Sequence, residues 1–200
     1  AFLNDERVNP WIAWPLRLYD CSPITDGASC LLLVSSDLAT NFTDKPVHIL
    51  GTGQASGRPL HQATELTSLS AARIAGAEAY AMAGITPQQV QVAEVHDCFT
   101  IAEIVATEDL GFFRPGEGSR AVDEGRTTRN GDRPINTSGG LKSKGHPVGA
   151  SGVAQAIEIF LQLRGEAGER QLAGSGLEFG LTHNVGATGG TGVVHIYQRG

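Results

Sequence analysis

Three stretches of the chain set reactive side chains beside tight turns or glycine. The first, residues 94–99 (EVHDCF), puts His96, Asp97 and Cys98 at a predicted strand-to-helix turn. Side chains at such a junction project from a sheet edge, where open α/β folds bind ligands. A thiol near a helix N-terminus also feels the positive end of the dipole, which lowers its pKa and favours the thiolate. The competing reading is that His96 and Asp97 cap the helix and Cys98 packs as a small hydrophobe. The second stretch, residues 136–152 (NTSGGLKSKGHPVGASG), holds His146 in a loop that Pro147 stiffens and whose glycines admit a ligand closely. The third, residues 182–192 (THNVGATGGTG), could be taken for a phosphate cradle. Its glycines lack the GxGxxG spacing and precede a strand pattern, so a tight turn offering a backbone N–H to an oxyanion suits it better. His96, Asp97, Cys98, His146 and His183 are all metal-ligand types, but no HExxH or paired CxxC spacing supports a metal site. His48, His61 and His195 carry no motif and read as structural or surface residues. Arg120, Arg126, Arg129 and Arg133, balanced by Glu117, Asp123, Glu124 and Asp132, read as a solvated face.

The background composition is that of a globular chain. Of 200 residues, 40% are apolar and 18% charged, enough to build a core and too apolar for disorder. The net charge of -6 gives none of the basic footprint of a nucleic-acid binder. Cys21, Cys30 and Cys98 form an odd set without CxxC spacing, which points to a reducing compartment rather than a disulfide framework. The longest apolar run, residues 30–34, is far too short to span a bilayer. The first residues, AFLNDERVNP, carry no apolar signal-peptide core, and the missing initiator Met suggests a start inside a longer protein.

The elements that must position these groups follow from periodicity and punctuation. Residues 1–28 read as loop and turn. Residues 29–35 (SCLLLVS) and 47–53 (VHILGTG) read as strands, with a boundary in the polar stretch that ends at Pro46. Residues 67–82 are Ala-rich and read as a helix stopped by Gly84; 90–95 reads as a strand and 99–110 as a helix ended by Gly111. Residues 114–135 look like an exposed loop and 136–152 like a Gly/Ser-rich one, leading into a helix over 153–163. Residues 177–184 and 193–197 read as strands joined by the glycine-rich turn at 186–192. Helices alternating with strands and a closing strand pair predict an α/β fold, a mixed β-sheet covered by helices.

Taken together, these segments resemble a thiolase, most closely the sterol-carrier-protein-2 type. SPITDGAS (residues 22–29) is similar to the segment leading out of the thiolase loop domain. EVHDCF is similar to the HDCF motif, GGLKSKGHPVGASG (139–152) to the GHP histidine loop, and HNVGATGG (183–190) stands where other thiolases carry a CxG motif. The resemblance implies a βαβαβαββ thiolase-like half, part of an αβαβα layered core. Residues 1–44 would be the end of the loop domain with the last strand of the N-terminal half, and 45–200 the C-terminal thiolase domain. It implies an acyl-CoA acyltransferase that makes or cleaves 3-ketoacyl-CoA, with the coenzyme A thioester as substrate and no further cofactor. His146 would help activate the nucleophile and donate to the thioester oxygen. His96 would be the second donor there, directly or through a water. Cys98 would shuttle the α-proton, and the Gly186 N–H would serve the second oxyanion hole. Ser22 matches a position that touches the pantetheine arm. None of the three cysteines sits in a CxS setting, so the nucleophile must come from an N-terminal half, in the same or a separate chain. The alternative is a non-catalytic thiolase-like subunit that binds an acyl-CoA or a partner protein. The resemblance further implies a homo-oligomer and admits a small OB-fold partner protein, with no nucleic-acid or membrane role. Some relatives are retro-aldolases that depart from the His–Cys–His set, which this chain keeps. The final QRG is unlike a peroxisomal SKL signal, leaving a cytoplasmic location as the expectation.

Overall fold

The computed structural model describes residues 2–58, 60–174, 176–186 and 188–200. A short hairpin, β1 (Trp11–Ala13) and β2 (Leu16–Arg17), precedes β3 (Val47–Ser56), α1 (Ser70–Ala83) and β4 (Val92–Glu94). Four helices follow: α2 (Thr100–Asp109), α3 (Gly118–Asp123), α4 (Gly140–Lys144) and α5 (Val148–Arg164). The chain closes on β5 (Phe179–Gly186) and β6 (Thr191–Arg199). The last four strands form one mixed sheet in the order β3-β6-β5-β4, with β4 parallel to β5 and the other pairs antiparallel.

Small residues decide how closely the first helical layer lies. Ala71, Ala75 and Ala79 are four apart and wholly buried, so they share one face of α1. Opposite them the sheet offers Gly51, Gly53 and Gly192, where a Cβ would overlap the backbone of Ala79, Ala75 and Ala71 respectively. The helix ends on Gly84, whose φ of 67° supplies the left-handed cap. On the other face, α5 sets Ile159 over Gly180, and Ala156, Ile159 and Leu163 pack with Val92 and Tyr197. Full burial of Ile159 alone contributes about 1.5–3 kcal/mol. The sheet is thus covered on both sides, as the alternating pattern predicts.

Several expectations need correction. Residues 29–35 form no strand, because no described strand lies alongside to take up their hydrogen bonds. Leu32 and Leu33 are 69% and 68% exposed there. Residues 11–17, read as loop, form a hairpin. The exposed loop at 114–135 contains α3 and ends in a single parallel bridge from Ile135 to Ala93, in effect a fifth strand reduced to one residue pair. Helix α5 begins at Val148 rather than 153, because Pro147 starts it and its glycines stay helical. Arg133 is no solvated charge: its guanidinium donates to the carbonyls of Val90 at 2.7 Å and Gln88 at 3.2 Å. Arg120 and Arg126 do make surface pairs, with Glu124 and Asp132. The closing turn is narrower than expected, and its Ala187 lies outside the described residues. Among the described residues no helix is long and apolar enough to cross a membrane.

Candidate active site

The parallel pairing of β4 with β5 sets the register of the site. Glu94 lies opposite Thr182, and two residues further His96 reaches Asn184. His96 Nδ1 and Asn184 Oδ1 are 3.4 Å apart. His146 arrives from another direction, on the turn between α4 and α5, where its N–H donates to the Pro23 carbonyl at 3.0 Å. The two imidazoles meet edge to face, with centroids 5.1 Å apart and planes at 84°. With Cys98, Asn184 and Gly186 they line one open cleft of ≈ 1040 Å³.

Two carboxylates from the segment that carries His96 and Cys98 hold the one-turn helix in front of His146. Asp97 Oδ1 accepts the Leu141 N–H at 2.8 Å and Oδ2 the Lys142 N–H at 3.5 Å, so Asp97 caps α4 rather than α2. A Cβ on Gly140 would run into that carboxylate, and its φ of 63° is one that glycine adopts freely. Glu94, fully buried, accepts from the Ser138 N–H at 3.0 Å, from the Ser138 hydroxyl, and from Lys144 Nζ at 3.5 Å. Burial pushes the Glu94 carboxyl up, while Lys144 and Ser138 pull it back.

The electrostatics differ at each candidate. Burial lowers the His96 pKa, the Asn184 bond opposes this, and the nearby His146 lowers it further. The Cys98 thiol is pushed up, first by burial and then by the Asp97 carboxylate. That reverses the lowering expected from a helix N-terminus: Cys98 stands ahead of Phe99, the N-cap of α2, and its desolvation outweighs the dipole. Ser22 N–H donates to the Cys98 carbonyl at 2.8 Å, so Ser22 sits beside Cys98 but outside the cleft lining. His195, read as structural or surface, lines the cleft. His183 does not join the site; strand alternation turns it to the α1 face, where burial drives it down to about 3 with neither nitrogen bonded. Among the described residues no group of three or more ligand-type side chains is placed to hold a metal ion.

Reading the sequence missed the polar residues behind the imidazoles. His146 Nδ1 lies 2.7 Å from Ser151 Oγ, and the Asn184 amide donates to the carbonyl oxygen of the buried Gln155 side chain. Gly152 leaves room for Asn184, since a Cβ there would come within 3.3 Å of its nitrogen. The i, i+4 spacing of Ser151 and Gln155 on a helix that opens at the histidine loop was the available signal.

Residues 53–199 match a family model described as thiolase C-terminal domain-like. The chain is 52% identical over 189 residues to the acetyl-CoA acetyltransferase of Methanothermobacter thermautotrophicus, covering 94% of this chain and 49% of that protein. It is 38% identical over 191 residues to sterol carrier protein 2 of Homo sapiens, covering 92% of this chain and 34% of that protein. Among solved structures, the Ltp2-ChsH2(DUF35) aldolase superposes with a TM-score of 0.84 at 25% identity, over 99% of this chain and 51% of that one. The chain therefore spans about half the length of the acetyltransferase it matches and about a third of the sterol carrier protein.

Proposed function

This chain belongs to the thiolase family, and from that premise we propose that it forms the C-terminal half of the active site of an acyl-CoA acyltransferase. The reaction would make or cleave the carbon–carbon bond of a 3-ketoacyl-CoA. The observation that carries this reading is the meeting of His96 and His146, 5.1 Å apart, over a cleft that also holds Cys98.

The residues divide the work as follows. His146 takes the proton of a nucleophilic cysteine supplied from outside these 200 residues, and that thiolate attacks an acyl-CoA. The departing CoA sulfur takes the Cys98 proton, leaving a Cys98 thiolate. A thiol held up by burial and by Asp97 is the stronger base once ionised, which suits it to remove the α-proton of a second acyl-CoA. The enolate oxygen that forms is stabilised at His96 and His146. The enolate carbon attacks the acylated cysteine, whose oxyanion is met by the Gly186 N–H together with the nucleophile's own, and the cysteine thiolate leaves. Thiolysis is the reverse. Ser22, beside Cys98, would touch the pantetheine arm. Retention of His96, Cys98 and His146 favours thiolase over aldolase chemistry, and the DUF35 component named in the structural neighbour supports a partner protein.

The test is isotope exchange in the full-length protein. Cys98→Ala should still be acylated by acyl-CoA, more slowly because solvent must protonate the departing CoA sulfur, but lose exchange of the α-proton with solvent, whereas His146→Ala should lose both. Unchanged exchange in Cys98→Ala would remove Cys98 from the acid/base role. A wild-type protein that binds acyl-CoA without any thiolysis would favour the non-catalytic subunit.

A further inference from the structure

The hydrogen bonds behind the two imidazoles have a direction, because each chain ends on a backbone carbonyl that can only accept. Gln155 Nε2 donates to the His183 carbonyl at 3.4 Å, which turns the Gln155 Oε1 toward Asn184. Asn184 Nδ2 donates to that oxygen, so Asn184 presents its own Oδ1 to His96, and His96 Nδ1 must carry the proton. The second chain is shorter. The Ser151 hydroxyl reaches the Pro147 carbonyl at 3.1 Å, beside the Ala150 and Ser151 N–H groups that carbonyl also accepts; donating there leaves its oxygen to accept at 2.7 Å from a protonated His146 Nδ1. Neither Nε2 has a partner among the described residues, and neither is a buried unpartnered atom.

We propose that Ser151 and Gln155, one turn apart on α5, are positioning residues that fix both imidazoles as Nδ1–H tautomers and leave both Nε2 lone pairs free at the cleft. This rests on the acyltransferase reading for its meaning, not for its geometry. Two neutral rings of this kind offer two acceptors and no donor to a thioester oxygen. A donor forms at His146 only when its Nε2 takes the nucleophile's proton: the S–H bond breaks and the N–H bond forms. His96, with its proton on Nδ1, accepts a hydrogen bond at Nε2 from a water, and the water's other O–H serves the oxygen. Of the two routes open to His96, direct or through a water, the network selects the water.

Two-bond 1H–15N correlation spectra of the histidine rings, recorded on the full-length protein at mildly alkaline pH, read the tautomers without substrate. His96 and His146 should each show a protonated Nδ1 and an unprotonated Nε2. Gln155→Met, which keeps the length of the side chain but cannot bond, should lose that pattern at His96 only. Ser151→Ala should lose it at His146 only. A protonated Nε2 in either wild-type ring, an unchanged pattern in the matching variant, or loss at both rings in either single variant would overturn the assignment. Absence of thiolysis with the expected tautomers would count against the enzymatic reading and leave the positioning role standing.

Discussion

Glu103 carries a pH dependence whose size follows from its surroundings. Its carboxylate accepts a hydrogen bond from Asn136 Nδ2 at 2.8 Å, and Asn136 in turn accepts the Val95 N–H at 2.8 Å, one residue ahead of His96. Burial raises the Glu103 pKa from 4.5 to about 7, helped by the charges of Asp97 and Glu94 and opposed by the Asn136 bond. Between those two values the folded protein holds a proton that the unfolded chain has released, so stability falls as pH rises. At ~1.4 kcal/mol per tenfold change in proton affinity, the rise from 4.5 to about 7 costs the ionised folded state about 3 kcal/mol. Glu103→Gln removes the titration and keeps an acceptor for Asn136. In equilibrium urea unfolding, variant and wild type should differ least at about pH 4, and the variant should gain up to about 3 kcal/mol by about pH 8. Glu94 and Asp97 are also raised and slope the same way; they are present in both proteins, so the difference reports Glu103 together with its coupling to these two charges. A wild-type-to-variant difference that stays constant across that range would refute the argument.

Two further substitutions test the scaffold. Asp97→Ala strips the cap from α4 and leaves the Leu141 N–H unbonded in a fully buried position, which should cost about 2 kcal/mol in urea unfolding; Asp97→Asn, which keeps one acceptor, should cost about half that. Gly53→Ala forces a Cβ into the Ala75 carbonyl, and because both atoms belong to fixed backbone the loss should reach about 3 kcal/mol by the same measurement.

What the sequence made legible depended on how local the cause was. Helix α1 could be read because its alanines, its Gly84 stop and its length are all local. The strand at 29–35 failed because an apolar run becomes a strand only beside a partner, and none is described next to Leu32 and Leu33. The bridge at Ile135 was invisible inside a polar, glycine-rich stretch, since one residue pair leaves no period. His96, Cys98 and His146 stood out because motif, turn and glycine coincide there. The rise of the Cys98 thiol could not be read, because the desolvation that dominates it comes from the packed fold and not from its six-residue neighbourhood.

The same distinction explains where precision in the site comes from. His96 follows a strand of three residues and His146 follows a helix of five, elements too short to hold a ring by themselves. The seventeen-residue α5, packed along the sheet by Ala156, Ile159 and Leu163, holds both rings instead, through Ser151 and Gln155. Glu94 and Asp97 act from the other side by fixing α4. Residues that touch substrate can then sit on turns, where close approach is easy, while their orientation is set by a long helix that cannot rotate without unpacking the core.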